Sequence, residues 1–149
     1  MKEKNFSRRN LDFILYEVHD ILSLTRHTYF ATHDRESCGM LLDTATRIAE
    51  KTLCPFYKES DRQPPVLTNG EVKVHPAVRE FYKAFCDSGL MSACFDAKHG
   101  GQQLPKTVYA AADFILGCAH NGFQMFPSLA NGAAKLIVTF GSRQLIDEY

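Results

Sequence analysis

The chain has 149 residues, 45% hydrophobic and 23% charged, with 17 Lys plus Arg against 17 Asp plus Glu. A chain of this length forms one domain and buries roughly two-thirds of the surface its unfolded form exposes, which excludes dominant disorder and any need for a disulfide framework or structural metal. The zero net charge leaves no basic excess to neutralise phosphates and sets nucleic acid aside as a partner.

In chain order, Met1 to Asn10 is charged and lacks the apolar core of a secretory signal. Leu11, Ile14, Leu15, Val18, Ile21 and Leu22 recur at helical spacing and predict a first helix capped by Asn10. His27, His33 and Cys38 are metal-ligand types near the next junction, but their spacing matches no common metal motif and a fourth ligand is missing, so no metal site is predicted. A second helix opens after Asp34, carries Cys38, Leu41, Leu42, Ala45, Ile48, Ala49 and Leu53 on one stripe, and is kinked or ended by Pro55. Asn69-Gly70 between Val66-Leu67 and Val72-Lys73-Val74 predicts a small hairpin. A third helix begins near Pro76, buries Val78, Phe81, Tyr82, Phe85 and Cys86, and stops at Gly89.

Met91 to Leu104 reads as a loop centred on His99-Gly100-Gly101-Gln102, without the spacing of a phosphate-binding loop. Pro105 opens a fourth helix with a small-residue face (Val108, Ala111, Ala112, Ile115, Leu116, Ala119) running to Asn121-Gly122. A fifth runs through Gln124 to Phe140, with Pro127 near its start, and Gly141 is predicted in a left-handed C-terminal position. Ser142 caps a sixth, with Leu145, Ile146 and Tyr149 on one side and expected in an exposed apolar patch. The fold class is all-α: an up-down bundle of five to six helices with a short hairpin-like loop. Residues 1–149 form a single helical domain, an extension helix over 1–30 and a bundle over 34–149, expected to be the first part of a longer chain.

The apolar run Val108 to Phe126 is interrupted by Asp113, His120 and Asn121, so no integral membrane segment is predicted. Five cysteines without a C-x-x-C pair suit a reducing compartment, and the cytoplasm is the expected location. Cys118 and His120 point about 200° apart on a helix and make no catalytic pair. Composition and spacing show no complete active site, and no catalytic residue is assigned.

Gly89-Leu90-Met91 through Lys98-His99-Gly100-Gly101-Gln102-Gln103-Leu104-Pro105 resembles the "Y-G-G-x-G-L-P" segment of acyl-CoA dehydrogenases. Ala119-His120-Asn121-Gly122-Phe123 through Phe140-Gly141-Ser142 resembles their following helix, which ends in "G-S-x-E-Q-K". Asn10-Leu11-Asp12-Phe13-Ile14-Leu15-Tyr16-Glu17 is similar to the N-terminal extension of the subgroup that includes 3-methylmercaptopropionyl-CoA dehydrogenase. His99 and Gln103 replace that family's usual Tyr and Gly. The resemblance implies an N-terminal helical domain of a FAD-dependent enzyme that dehydrogenates an acyl-CoA thioester, passes electrons to an electron-transfer flavoprotein and forms a homo-oligomer. It places the catalytic glutamate and the FAD site in later domains, so no FAD is expected on this chain alone. The residues matching the acyl-pocket wall are Gln124, Met125 and Ser128, whose offsets fall within roughly a 100° arc of one helix. The alternative is a stand-alone helical interaction module without catalytic activity; a weaker one is a redox or metal sensor built on the cysteines.

Overall fold

A computed structural model describes residues 6–148. The chain enters through α1 (Arg8–Asp12), capped by Ser7, whose hydroxyl accepts from the Asn10 amide at 3.3 Å. The cap is therefore Ser7 and not Asn10, because the helix starts three residues earlier than the apolar spacing suggests. The backbone widens to a π-type turn over Phe13–Val18 and breaks at Asp20, which is left-handed at φ 42°. That break replaces the single helix expected to reach Leu22: Leu15 and Ile21 are buried, Phe13, Ile14 and Val18 are exposed, and the chain continues as 3-10 turns over Ile21–Arg26 and Thr28–Phe30.

The second helix, α2 (Arg35–Ile48), starts where expected. The Asp34 carboxylate accepts from the Ser37 amide at 2.7 Å while Ser37 Oγ accepts from the Asp34 amide at 2.8 Å, a reciprocal cap that satisfies two orphan donors. Cys38, Leu42, Ala45 and Ile48 are buried along its inner stripe, and Ala49 and Leu53 in the π-type turn Ala49–Leu53 that continues it, while Leu41, expected on the same stripe, is half-buried. Pro55 supplies no N–H to continue the ladder, and the helix passes through a 3-10 turn, Cys54–Phe56, into the short α3 (Tyr57–Arg62). Strands β1 (Val66–Thr68) and β2 (Glu71–Lys73) pair antiparallel with Leu67 opposite Val72. Asn69 (φ 53°) and Gly70 (φ 81°) are both left-handed, the geometry of a two-residue hairpin turn.

Next, α4 (Ala77–Asp87) buries Ala77, Val78, Phe81 and Phe85. Cys86, expected inside, is exposed, and Tyr82 is half-buried. The largest helical element, α5 (Lys106–Phe140), contains one non-helical residue, His120 (φ −167°, ψ 89°). Side chains of Gln124 and Ser128 both hydrogen-bond to Asp113, 11 and 15 residues earlier. On a straight helix those 15 residues would span about 22 Å, so the chain doubles back at His120 into two antiparallel arms. The expected fourth and fifth helices are these arms, and the break falls one residue before Asn121-Gly122.

The first arm packs its whole small-residue face, Val108, Ala111, Ala112, Ile115, Leu116 and Ala119, into the core beside α2 and α4. Pro127 lies inside the second arm rather than in its first turn, and is buried. Gly141 is extended (φ −70°, ψ 153°), not left-handed. Its amide donates to the Ile137 carbonyl at 2.7 Å, and a Cβ there would lie 2.5 Å from that oxygen, so close backbone approach is what requires glycine. Finally α6 (Arg143–Glu148) is capped by Ser142 as expected, its Oγ accepting from the Leu145 amide at 3.3 Å. Leu145 is exposed and Ile146 half-buried, while Tyr149 lies outside the described residues. Among the described residues, no helix is long and apolar enough to cross a membrane.

Candidate functional site

Gln124 sits in the first turns of the second arm, only 3% exposed. Its amide nitrogen donates to the Asp113 carboxylate and, at 3.4 Å, to Ser128 Oγ, whose hydroxyl reaches Asp113 Oδ1 at 3.5 Å. Gln124 Oε1 is buried without a hydrogen-bond partner. The doubling-back of α5 thus joins Gln124 and Ser128 through Asp113. Met125 does not enter this cluster: it is 44% exposed, beside exposed Phe126 and Leu129. Asp113 is absent from the sequence-derived set. Its signal was the Asn121-Gly122 break: once that is recognised as a reversal, residues equidistant from it meet. Tyr109, one turn before Asp113, is pushed up to about 12 by burial, then by the Asp113 charge and Cys94, and stays a neutral phenol.

His120 holds the reversal. Its Nδ1 accepts from the Phe123 amide at 3.3 Å, the job of an N-cap for the second arm. Its Nε2 lies 2.7 Å from Ser60 Oγ, and its ring stacks on Phe123 at 3.9 Å between centroids, with Tyr57 edge-on at 5.5 Å. With Nδ1 accepting, the neutral imidazole carries its proton on Nε2 and donates it to Ser60. The ring nitrogen facing Ser60 has no free lone pair, so Ser60 and His120 do not form an activated nucleophile. Burial lowers the His120 pKa, and the nearby His75 lowers it further against the raising effect of its own backbone hydrogen bond. His75 itself accepts from the Ala77 amide through Nδ1 at 3.2 Å and faces Glu59 at 3.5 Å.

The loop after α4 forms a 3-10 turn, Ala97–His99, and reverses at Gly100 (φ 72°). A Cβ on Gly101 would lie 1.9 Å from the Phe95 carbonyl oxygen, so this glycine serves the turn itself. Every amide from His99 to Leu104 already donates to a backbone carbonyl. No backbone N–H of this stretch is left to cradle a diphosphate in the way a phosphate-binding loop does. Gln103, where the resembling family has Gly, is left-handed at φ 54°. Its side-chain amide donates to the Tyr29 carbonyl at 2.9 Å, the Tyr29 hydroxyl bonds Asp96, and His33 Nε2 donates to the Gln102 carbonyl at 2.8 Å. The segment Tyr29 to His33 therefore straps the loop.

The remaining chemistry-bearing groups are quiet. Among the described residues, no three His, Cys, Asp or Glu side chains are grouped to hold a metal. Burial raises the thiol pKa of Cys38, Cys94 and Cys118, and at exposed Cys86 partial desolvation and then the neighbouring Asp87 charge raise it too, which keeps these thiols protonated and weakly reactive. A groove of about 950 Å³ lined by Phe6, Ala49, Pro55, Ile115 and Cys118 lies near the Arg8–Asp43 ion pair, and neither Asp113 nor Gln124 borders it.

Comparison with known proteins adds a family. The family model described as "Acyl-CoA dehydrogenase, N-terminal domain" matches residues 35–149. The chain is 34% identical over 101 residues to a 3-methylmercaptopropionyl-CoA dehydrogenase of Ruegeria pomeroyi, covering 68% of this chain and 17% of that protein. It is 27% identical over 139 residues to the broad-specificity linear acyl-CoA dehydrogenase FadE5 of Mycobacterium tuberculosis, covering 91% of this chain and 22% of that protein. The chain spans about a fifth of the length of these curated relatives.

Proposed function

The chain belongs to the acyl-CoA dehydrogenase family through its N-terminal domain, and on that premise we propose that it is the N-terminal domain of a longer FAD-dependent enzyme that dehydrogenates an acyl-CoA thioester. The carrying observation is the family match over residues 35–149, which takes in α2, the strapped loop and both arms of α5. In this reading Gln124, Met125 and Ser128 line the acyl pocket from the second arm. Bound FAD would supply the hydride acceptor and a catalytic glutamate the base that removes the α-proton, both held by parts of the enzyme beyond this chain. Within this chain the hinge at His120 fixes the angle of the second arm, and so where the three lining residues stand.

Leu129 (68% exposed), Leu136 (62%) and Phe140 (81%) are spaced seven and then four residues apart along the outer side of the second arm. In the proposed enzyme this stripe is covered by its further domains or by a second copy in a homo-oligomer. The electron acceptor is an electron-transfer flavoprotein, and the location is cytoplasmic. Purification of the complete polypeptide tests the proposal: it should carry FAD, and anaerobic addition of an acyl-CoA should bleach the flavin spectrum. A preparation that carries no flavin, or whose flavin no acyl-CoA of any length reduces, refutes it and favours a non-catalytic helical interaction module.

A further inference from the structure

We propose that the hairpin is a contact between two copies of this chain: the outer edge of β2 pairs antiparallel with the same edge of a second copy, across a two-fold axis at Val72, to make one four-stranded sheet. The inference uses no residue of either arm of α5 and is independent of the acyl-pocket reading above.

The turn decides which backbone groups are free. A two-residue turn makes Thr68 and Glu71 a pair that exchanges hydrogen bonds, and alternation along the ladder makes Val66 and Lys73 the next such pair. The N–H and C=O of Leu67 and of Val72 therefore point outward, each to an open edge. The two edges are not alike. On β1 the next outward position is Pro65, which has no N–H and blunts that edge. On β2 there is no such block, and Glu71, Val72 and Lys73 are all exposed.

Glu71 and Lys73 share one face of β2, and among the described residues neither forms an ion pair. In an antiparallel pairing centred on Val72, Val72 meets Val72 of the second copy, Glu71 meets its Lys73 and Lys73 meets its Glu71. The strand is thus its own electrostatic complement, since opposite charges directly across a ladder attract and like charges repel. A parallel alignment in register would instead set Glu against Glu and Lys against Lys. The other face gains as well: Leu67 and Val72 are exposed and opposite each other, and pairing extends them into one apolar row across the joined sheet. A lone two-stranded hairpin is marginal in water, whereas more strands with an apolar face hold together. With Pro65 on both outer edges, growth stops at two copies, a closed isologous contact.

Charge exchange in the complete polypeptide tests this, with association read by sedimentation velocity over a concentration series and pairing by hydrogen exchange at the Val72 amide. Glu71→Lys alone, or Lys73→Glu alone, sets like charges opposite each other and should weaken association about tenfold or more. Combining Glu71→Lys with Lys73→Glu restores the complement in reverse, and should return association to within about threefold of wild type. An equimolar mixture of the two single variants should also recover, because each chain meets opposite charges on the other. Val72→Pro removes the outward N–H without touching the ladder to β1, and should weaken association as the single charge variants do. The Val72 amide should be protected in wild type in step with association, and should exchange faster in both single charge variants. A wild type that stays monomeric, equal association in all variants, or a mixture that recovers nothing overturns the inference. A Val72 amide equally protected in a monomer also overturns it, and gives the edge to another segment of the same polypeptide. Reduction of the flavin by acyl-CoA is read separately, so failure here leaves the acyl-pocket reading standing.

Discussion

Replacing His120 by alanine should test whether the α5 reversal is held by one ring. The substitution removes the acceptor for the Phe123 amide, the bond to Ser60 Oγ and the stack on Phe123 at 3.9 Å. A lost cap costs about 1 kcal/mol, a neutral hydrogen bond about 1 kcal/mol and a ring stack about 0.5–1.5 kcal/mol. Since the group is only partly buried, the combined loss should be about 2–3 kcal/mol, a fall in Tm of roughly 4–12 °C for a domain of this size. His120→Asn keeps a short side-chain oxygen at the cap position with the same extended backbone, and should recover about 1 kcal/mol of the loss. Thermal unfolding followed by circular dichroism at neutral pH reads both variants, and amide exchange at Phe123 should accelerate in the alanine variant but much less in the asparagine one. Equal destabilisation by Ala and Asn, or a shift under about 2 °C for Ala, would refute the capping argument.

Acid should loosen the same hinge. Burial holds His120 below its ordinary value of 6.5, so between that value and its lowered folded one the unfolded chain binds more protons and stability falls as pH falls; Tm should drop more from pH about 7.5 to about 5.5 in the wild type than in His120→Asn, and parallel slopes would contradict this. At Gln103, left-handed at φ 54° and bonded to Tyr29, Gln103→Gly should be nearly neutral, since about 1 kcal/mol of backbone strain is relieved as one hydrogen bond is lost. Gln103→Val, which combines lost bonding with a β-branched left-handed residue, should cost about 2 kcal/mol in denaturant unfolding, and matching losses for Gly and Val would contradict the strain argument. In the complete enzyme, Met125→Trp should shorten the preferred acyl chain by a methylene or two, about 1–3 kcal/mol in relative kcat/KM, with Ser128→Ala changing less; because Met125 is 44% exposed, its Tm should hold, and a lowered Tm with an unchanged chain-length profile would make it a packing residue.

Where a single local interaction decides the backbone, the sequence was readable. Asp34 announces α2, Asn69-Gly70 the hairpin turn, and Ser142 the last helix, since each partner lies within a few residues. The small-residue face of the first arm was equally plain, because only close packing uses Ala111, Ala112 and Ala119 at helical spacing. What escaped depends on distant partners or on backbone register. Apolar spacing from Leu11 to Leu22 gives no hint that Asp20 will turn left-handed, and the same glycine signal that marks a left-handed cap also marks the close carbonyl at Gly141. Helical arithmetic placed Gln124, Met125 and Ser128 on one arc, but only the reversal at His120 brings Asp113 to the first and last of them and leaves Met125 outside. The pairing of His120 with Ser60 spans 60 residues and had no local signature.

The doubled-back α5 also imposes an order of assembly. Its arm-to-arm bonds join residues 3, then 11, then 15 apart in sequence, outward from His120. Each closure adds only a few residues to the loop already shut, so each costs little further chain entropy and the arms can zip from the hinge. The strap is the reverse case: its bonds to the 96–103 loop span 67 to 74 residues, and they form only after α2 and α4 have brought those partners together. Under mild denaturation, then, the strap is the first part to let go, and it releases the glycine loop while the two arms remain closed.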